Sequence, residues 1–228
     1  MAADGDSFTG IDVRDQLRSS TKEAFGESSI GAIFVVLAIA GIQLQLPDTV
    51  TVGPFWLIPA IEVLGAPGLL MVLKAAGTPG RALRTGLYAY LIFLVAASVL
   101  NAMLLLRSLL DDTEESGKIL LFAGFGVLFI NVLSFALVYW QLDGGGPKAR
   151  RSKPLGKPDF LFPQQDKYPE WQPTLPDYLF TAYTNIIAFS PTDTMPLTHR
   201  VKFLFTVQSS VSLLTILVTV SRAINLIN

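Results

Sequence analysis

Apolar residues run through this chain in long blocks, separated by short polar, glycine- or proline-marked breaks, and the block lengths predict helices that cross a bilayer. Five blocks lie at roughly Ser28 to Leu46, Val52 to Leu73, Leu87 to Leu106, Ile119 to Leu142 and Phe203 to Leu226. Each holds about 19 to 24 residues, enough as helix to cover about 30 Å of hydrocarbon. A sixth block differs. Tyr178 to Ser190 is 13 residues, roughly 20 Å as helix, too short to cross, and it directly precedes the last span. It breaks at Ser190-Pro191-Thr192-Asp193-Thr194-Met195-Pro196, where two prolines remove amide donors and leave carbonyls without helical partners. This order predicts a re-entrant half-helix and loop. Irregular backbone at membrane depth is tolerated only where it is buried in protein or lines a water-filled cavity, so the loop is the first candidate for function.

The expected fold is an all-α, polytopic membrane helical bundle of about five transmembrane helices plus a C-terminal re-entrant half-helix and loop. Four regions follow: an N-terminal tail (1–27), a four-span membrane bundle (28–142), a basic proline-rich interfacial linker (143–176), and the re-entrant loop with the final span (177–228). In the tail, Ile11, Val13, Leu17 and Phe25 fall loosely on one face, which fits either an amphipathic surface helix or a solvated segment. Gly144-Gly145-Gly146-Pro147 predicts a sharp end to the fourth span. In the linker, Phe160, Phe162, Tyr168 and Trp171 alternate with polar residues, a composition suited to the headgroup interface.

Composition agrees with the blocks. Hydrophobic residues make up 51% of the 228 and charged residues 15%, and mean hydropathy is +0.49. A formal net charge of −1 gives no support to a nucleic-acid partner. There is no cysteine, which excludes disulfides, thiolate chemistry and thiolate metal sites. The first apolar block follows a mixed-charge tail with no basic n-region of its own, so no cleaved signal peptide is expected. With the N-terminus inside, fourteen lysines and arginines fall on the inner side and only Arg107, Lys118 and Arg222 on the outer. The expectation is a multi-pass protein of the plasma (inner) membrane, with a cytoplasmic N-terminus and a loop that enters from the cytoplasmic side.

Three segments, YWQLDGGGP (Tyr139 to Pro147), DFLFP (Asp159 to Pro163) and DYLFTAYTNIIAFSPTDTMPLTHR (Asp177 to Arg200), resemble a family of uncharacterised bacterial, actinobacterial-type integral membrane proteins known as a domain of unknown function. The resemblance covers the last 90 or so residues and implies a membrane protein without an assigned activity. The order of span, linker, short helix, kinked loop, proline-threonine, basic residue and final span also resembles, distantly, the pore module of tetrameric potassium channels. Thr181, Thr184, Ala188, Phe189 and Ser190 fall near that family's filter pattern, and Pro196, Thr198 and Arg200 near the segment after it. The two filter glycines are missing. Ala188 and Ser190 reach the left-handed backbone such a filter uses only at a cost of roughly 1 to 2 kcal/mol each.

Read from its residues, the loop carries the parts of a polar constriction. Thr181, Thr184, Asn185, Ser190, Thr192 and Thr194 supply hydroxyls and an amide, and Asp193 a carboxylate that a homo-oligomer would turn into a ring favouring monovalent cations. The same residues also fit an ordinary capped turn. Glu62, the one carboxylate well inside a span, sits among Pro59, Gly65, Pro67 and Gly68, where a kinked or broken helix is expected; it reads either as a proton or cation site or as a paired or protonated group. Gln43, Gln45, Asn101 and Asn131, and the polar residues of the last span from Gln208 to Ser221, read chiefly as glue between helices. Lys148, Arg150, Arg151, Lys153 and Lys157 form a lipid-facing basic cluster that binds anionic membrane lipid or only enforces topology. His199 is the single histidine and has no partner at ligand spacing, so neither a metal nor another cofactor is expected, and no hydrolase, Walker or Rossmann pattern points to an enzyme. Function is left between an ion channel-like oligomer with a pore-loop constriction, which the sequence favours, and a non-conducting scaffold or partner-binding protein. A proton- or cation-coupled transporter centred on Glu62 ranks third.

Overall fold

The computed structural model describes residues 30–74, 80–110, 117–152, 157–168, 171–188 and 193–225. Most of them are helical. In chain order the elements are α1 (Ile30–Gln43), a 3-10 turn (Asp48–Val50), α2 (Leu57–Lys74), α3 (Arg81–Leu110), α4 (Gly117–Leu142), a second 3-10 turn (Asp143–Gly145), α5 (Pro147–Ser152), β1 (Phe160–Leu161), α6 (Pro163–Lys167), α7 (Leu175–Ile187), β2 (Met195–Pro196) and α8 (His199–Asn225). The strands form one antiparallel pair, with Phe160 opposite Pro196 and Leu161 opposite Met195.

Three helices, α3, α4 and α8, are long and apolar enough to cross a membrane. They have 30, 26 and 27 residues, about 40 to 45 Å against roughly 30 Å of hydrocarbon. The first two apolar blocks make shorter helices than the sequence predicts: α1 ends at Gln43, short of Leu46, and α2 runs 18 residues, Leu57–Lys74, starting at Leu57 and not at Val52. The cause is local. Past Gln43 the amides of Gln45 and Leu46 turn back to the carbonyls of Ile42 and Gln43, and Pro47 then begins a 3-10 turn. Gly53 stands at φ 72° ahead of Pro54, so α2 starts only at Leu57. Once started, α2 runs unbroken through Pro67, where the sequence predicts a kink or break.

Polarity is inverted relative to a water-soluble core. Phe34, Leu64, Phe122, Ile92 and Phe203 are all more than two-thirds exposed, while Gln43, Ser98, Asn101, Asn131, Gln208 and Ser212 are buried. An exterior of that kind is stable when hydrocarbon covers it, which supports a membrane location. Within the bundle, α4 lies between α3, α7 and α8. Small residues permit the close approaches. A Cβ on Gly124 of α4 would sit 2.7 Å from Thr219 of α8, and one on Gly65 of α2 would sit 2.1 Å from the Tyr90 ring of α3. The Tyr90 hydroxyl donates to the carbonyl of Glu62 at 2.7 Å, which ties α2 to α3. Gly65→Ala is expected to displace that ring and lower stability by about 1–3 kcal/mol, read as the thermal midpoint of the purified protein in detergent.

Candidate functional site

The most connected polar site lies where the end of α4 meets the linker, α7 and the start of α8. Gly144, Gly145 and Gly146 all have positive φ, at 57°, 86° and 100°, a run that residues with a Cβ adopt only under strain. The turn they make points Asp143 inward, where it is 1% exposed. One Asp143 carboxylate oxygen accepts from the backbone amides of Asp159 (2.7 Å) and Phe160 (3.3 Å). The other accepts from the Tyr178 hydroxyl of α7. The relation is reciprocal, because the Asp159 carboxylate accepts from the amide of Gly144 at 3.1 Å. Two buried carboxylates thus each hold the backbone beside the other.

Each carboxylate has an arginine nearby. Arg200, at the head of α8, donates through Nε to Asp159 Oδ1 at 2.8 Å and through Nη2 to Asp159 Oδ2, and Thr198 donates to Asp159 Oδ1 at 2.6 Å. Arg150 donates to the carbonyls of Asp143 (2.6 Å) and Trp140 (2.9 Å), and its guanidinium lies 5.2 Å from the Tyr178 ring centre. Burial by itself would raise the Asp159 pKa, but the hydrogen bonds from Arg200, Thr198 and Gly144 outweigh it and hold the carboxyl below its usual range. Around this clasp, Phe160 packs against Tyr139, Tyr178, Phe162 and Phe205. Phe160 and Phe162 are therefore core residues, not headgroup anchors as the composition of the linker predicts. Tyr168 is exposed and Trp171 half-buried.

Beneath the clasp, α7 has 13 residues, Leu175–Ile187, and starts three residues before the short block read from the sequence. The Asp177 carboxylate accepts from the amide and hydroxyl of Thr174, each at 2.7 Å, and so fastens its N-terminus. Of the residues expected to line a constriction, Thr181, Thr184, Asn185 and Thr194 are buried, and their side chains bond within the chain. Thr181 donates to the Asp177 carbonyl at 2.8 Å and lies 3.2 Å from the Thr194 hydroxyl, while Thr184 donates to the Thr181 carbonyl at 3.1 Å. Asn185 donates to Gln208 Oε1 at 2.8 Å and accepts from Ser209 at 2.9 Å. Tyr139 of α4 donates to the same Gln208 oxygen at 2.7 Å. Asp193 is exposed. Ser190 and Thr192 lie outside the described residues.

From Gln208 the polar file continues along the inner face of α8 through Ser212, Thr215 and Thr219, at helical spacing and buried throughout. Ser212 donates to Asn131 of α4 at 3.3 Å. Elsewhere Gln43 and Asn101 exchange amide hydrogen bonds of 3.3 and 2.6 Å, joining α1 to α3 as glue. Glu62 is 1% exposed, and its Oε2 has no hydrogen-bond partner among the described residues. The basic cluster is divided: Arg150 is drawn into the clasp and is not lipid-facing, Lys157 is exposed, and the side chain of Arg151 and all of Lys153 lie outside the described residues. Lys148 is the second residue of α5. His199 is exposed at the head of α8, and no metal-binding group of three or more His, Cys, Asp or Glu occurs among the described residues.

The sequence reading missed the pairing of Asp143 with Asp159 and the role of Arg200. The only signal was two aspartates beside helix breakers, Asp143 before Gly144 and Asp159 after Pro158, with an arginine at the head of a span, and it does not say which meets which. No protein-family model, curated protein or solved structure matches the chain.

Two outcomes follow from the clasp. Asp159→Asn is expected to cost about 2–4 kcal/mol at neutral pH by leaving Arg200 and the Gly144 amide poorly matched, and Arg200→Lys less, since charge is kept and the two-pronged geometry lost. Both are read as thermal midpoints in detergent. Because the folded carboxyl titrates below its unfolded value, its contribution is complete above about pH 4 and is lost as pH falls through the lower folded value. The gap between wild type and Asp159→Asn should therefore close on acidification.

Proposed function

We propose that this chain is a multi-pass membrane protein whose C-terminal half-helix is a packed structural unit, and that it acts as a non-conducting scaffold or partner-binding protein. One observation carries the reading: the hydroxyls and amide of Thr181, Thr184, Asn185 and Thr194 are buried and bonded to the protein's own α7, α8 and β2 segments. A selectivity constriction needs such groups free to replace an ion's hydration shell. Here their oxygens are turned to the protein, Thr181 Oγ1 against the Thr194 hydroxyl and Asn185 Oδ1 accepting from Ser209, in the manner of polar glue between helices. The orientation that keeps fourteen of seventeen basic residues inside supports a cytoplasmic face for the clasp and linker in the inner membrane.

Purified protein in liposomes tests the reading directly. Vesicles holding wild type are expected to stay tight to monovalent cations, and Asp193→Asn to change nothing. A cation leak that Asp193→Asn removes or retunes would establish instead the oligomeric ion channel-like protein, with exposed Asp193 lining the path. A second reading, a proton or cation site at Glu62, is favoured by the unpartnered buried oxygen of that side chain. Flux that Glu62→Gln abolishes while Asp193→Asn leaves it intact would select it. Orientation is checked separately. The chain has no cysteine, so single cysteines at Lys157 and Lys118 are clean probes, and an impermeant thiol reagent outside intact cells is expected to label only Lys118→Cys.

A further inference from the structure

The arginines at the head of α3 are not part of the clasp and have no role in the packing just described. Arg81, Arg84, Thr85 and Tyr88 stand at i, i+3, i+4 and i+7, one face of the helix, and line a cavity of ≈ 290 Å³. That volume is near the lower end for small-molecule sites. Both arginine side chains are exposed, and no carboxylate among the described residues pairs with either. The Thr85 hydroxyl donates to the Arg81 carbonyl at 3.0 Å, so it faces the same turn. Tyr88 packs against the core and lies within electrostatic range of Arg200, which places the cavity beside the clasp, on the side where α8 begins.

What lies along the helix from this cavity identifies its occupant. Beyond Tyr88 the outward positions of α3 become apolar: Ile92 is 69% exposed and Met103 59%, with Leu100 between them. Two guanidinium groups with no carboxylate partner among the described residues thus stand at the top of an apolar stripe that only hydrocarbon would cover. A free anion would use the arginines and leave the stripe unexplained, whereas a phospholipid uses both. Guanidinium is also the side chain best matched to the paired oxygens of a phosphate. We propose that the head of α3 binds the phosphate of an anionic phospholipid, clamped by Arg81 and Arg84 with Tyr88 as the wall, and its acyl chains descend past Ile92 and Ala96, within one leaflet's depth of the arginines. The inference rests on the membrane reading and moves lipid recognition from the linker cluster, where Arg150 is already committed, to α3.

Native mass spectrometry of the purified full chain in detergent, titrated with phosphatidylglycerol or phosphatidylcholine, tests it. Phosphatidylglycerol is expected to bind in preference to phosphatidylcholine. Arg81→Gln with Arg84→Gln should weaken it about 30-fold, and Lys148→Gln with Lys157→Gln by no more than a few-fold. An Arg81→Lys, Arg84→Lys protein keeps the charge, so a smaller loss there, with unchanged elution on gel filtration, separates phosphate recognition from misfolding. Equal affinity in the α3 double variant and wild type overturns the proposal, as does loss confined to the linker variant. Complete displacement of phosphatidylglycerol by millimolar inorganic phosphate also overturns it, in favour of a soluble anion. Carbonate extraction of membranes separates the two levels of inference: a chain washed off refutes the membrane reading, and a chain retained but indifferent to Arg81 and Arg84 refutes only this site.

Discussion

Two carboxylates removed from water must each be matched by donors, and the C-terminal half of this protein is arranged around that demand. Asp143 takes two backbone amides and a phenol, and Asp159 takes a guanidinium, a hydroxyl and a glycine amide. Neither set is complete without the other segment being in place. Because Asp143 holds the amide of Asp159 while Asp159 holds the amide beside Asp143, the end of α4 and the linker are locked in one register. A single charge left unmatched in this position would cost several kcal/mol, more than most single contacts return. The glycine run follows from the same demand, since only a left-handed turn brings Asp143 inward and presents the Gly144 amide to Asp159.

That lock determines what α7 can be. Tyr178 and Asp143 join the first turns of the half-helix to the clasp, and Asn185 with Gln208 and Tyr139 joins its last turn to α4 and α8. A helix of about 20 Å has bare ends, and in hydrocarbon those ends need partners. The N-terminal end has the Asp177 cap, and at the C-terminal end the Ala188 amide donates to the Thr184 carbonyl. Aromatic and aliphatic side chains, Phe180, Tyr183 and Ile187, then occupy its outer face. The half-helix is therefore amphipathic in the inverted sense, with its polar side toward protein and its apolar side outward.

Three long helices and a short helix ahead of the last one were legible because their signals are local: block length decides both. The end of α1 and the start of α2 were misjudged for an equally local reason. Hydropathy stays high through Gly53-Pro54, and only the left-handed glycine shows that the helix has not begun. The clasp was not legible. Asp143, Asp159 and Arg200 are 16 and 41 residues apart, and nothing in composition says which lone aspartate meets which arginine. Arg150 was misread for the same reason: in a run of lysines and arginines one side chain turns inward to the helix-end carbonyls of Trp140 and Asp143, and charge counting treats all of them alike.

The polar groups of a membrane helix have two uses, and hydrogen-bond accounting tells them apart. A threonine that already donates to the carbonyl one turn back, as Thr181 does to Asp177 and Thr215 does to Val211, satisfies its own proton and costs little to bury against a neighbour. An amide such as Asn185, bonded at both ends to α8, spends all its specificity on fixing one packing arrangement. Groups that serve a ligand or a proton are instead left incomplete by their own protein. By that measure the half-helix reads as architecture, and Glu62 inside the bundle and Arg81 with Arg84 at its edge are among the incomplete groups where chemistry is to be sought. The first lies buried among apolar helices and the second where helix, water and lipid meet, so a proton suits one and an anionic headgroup the other.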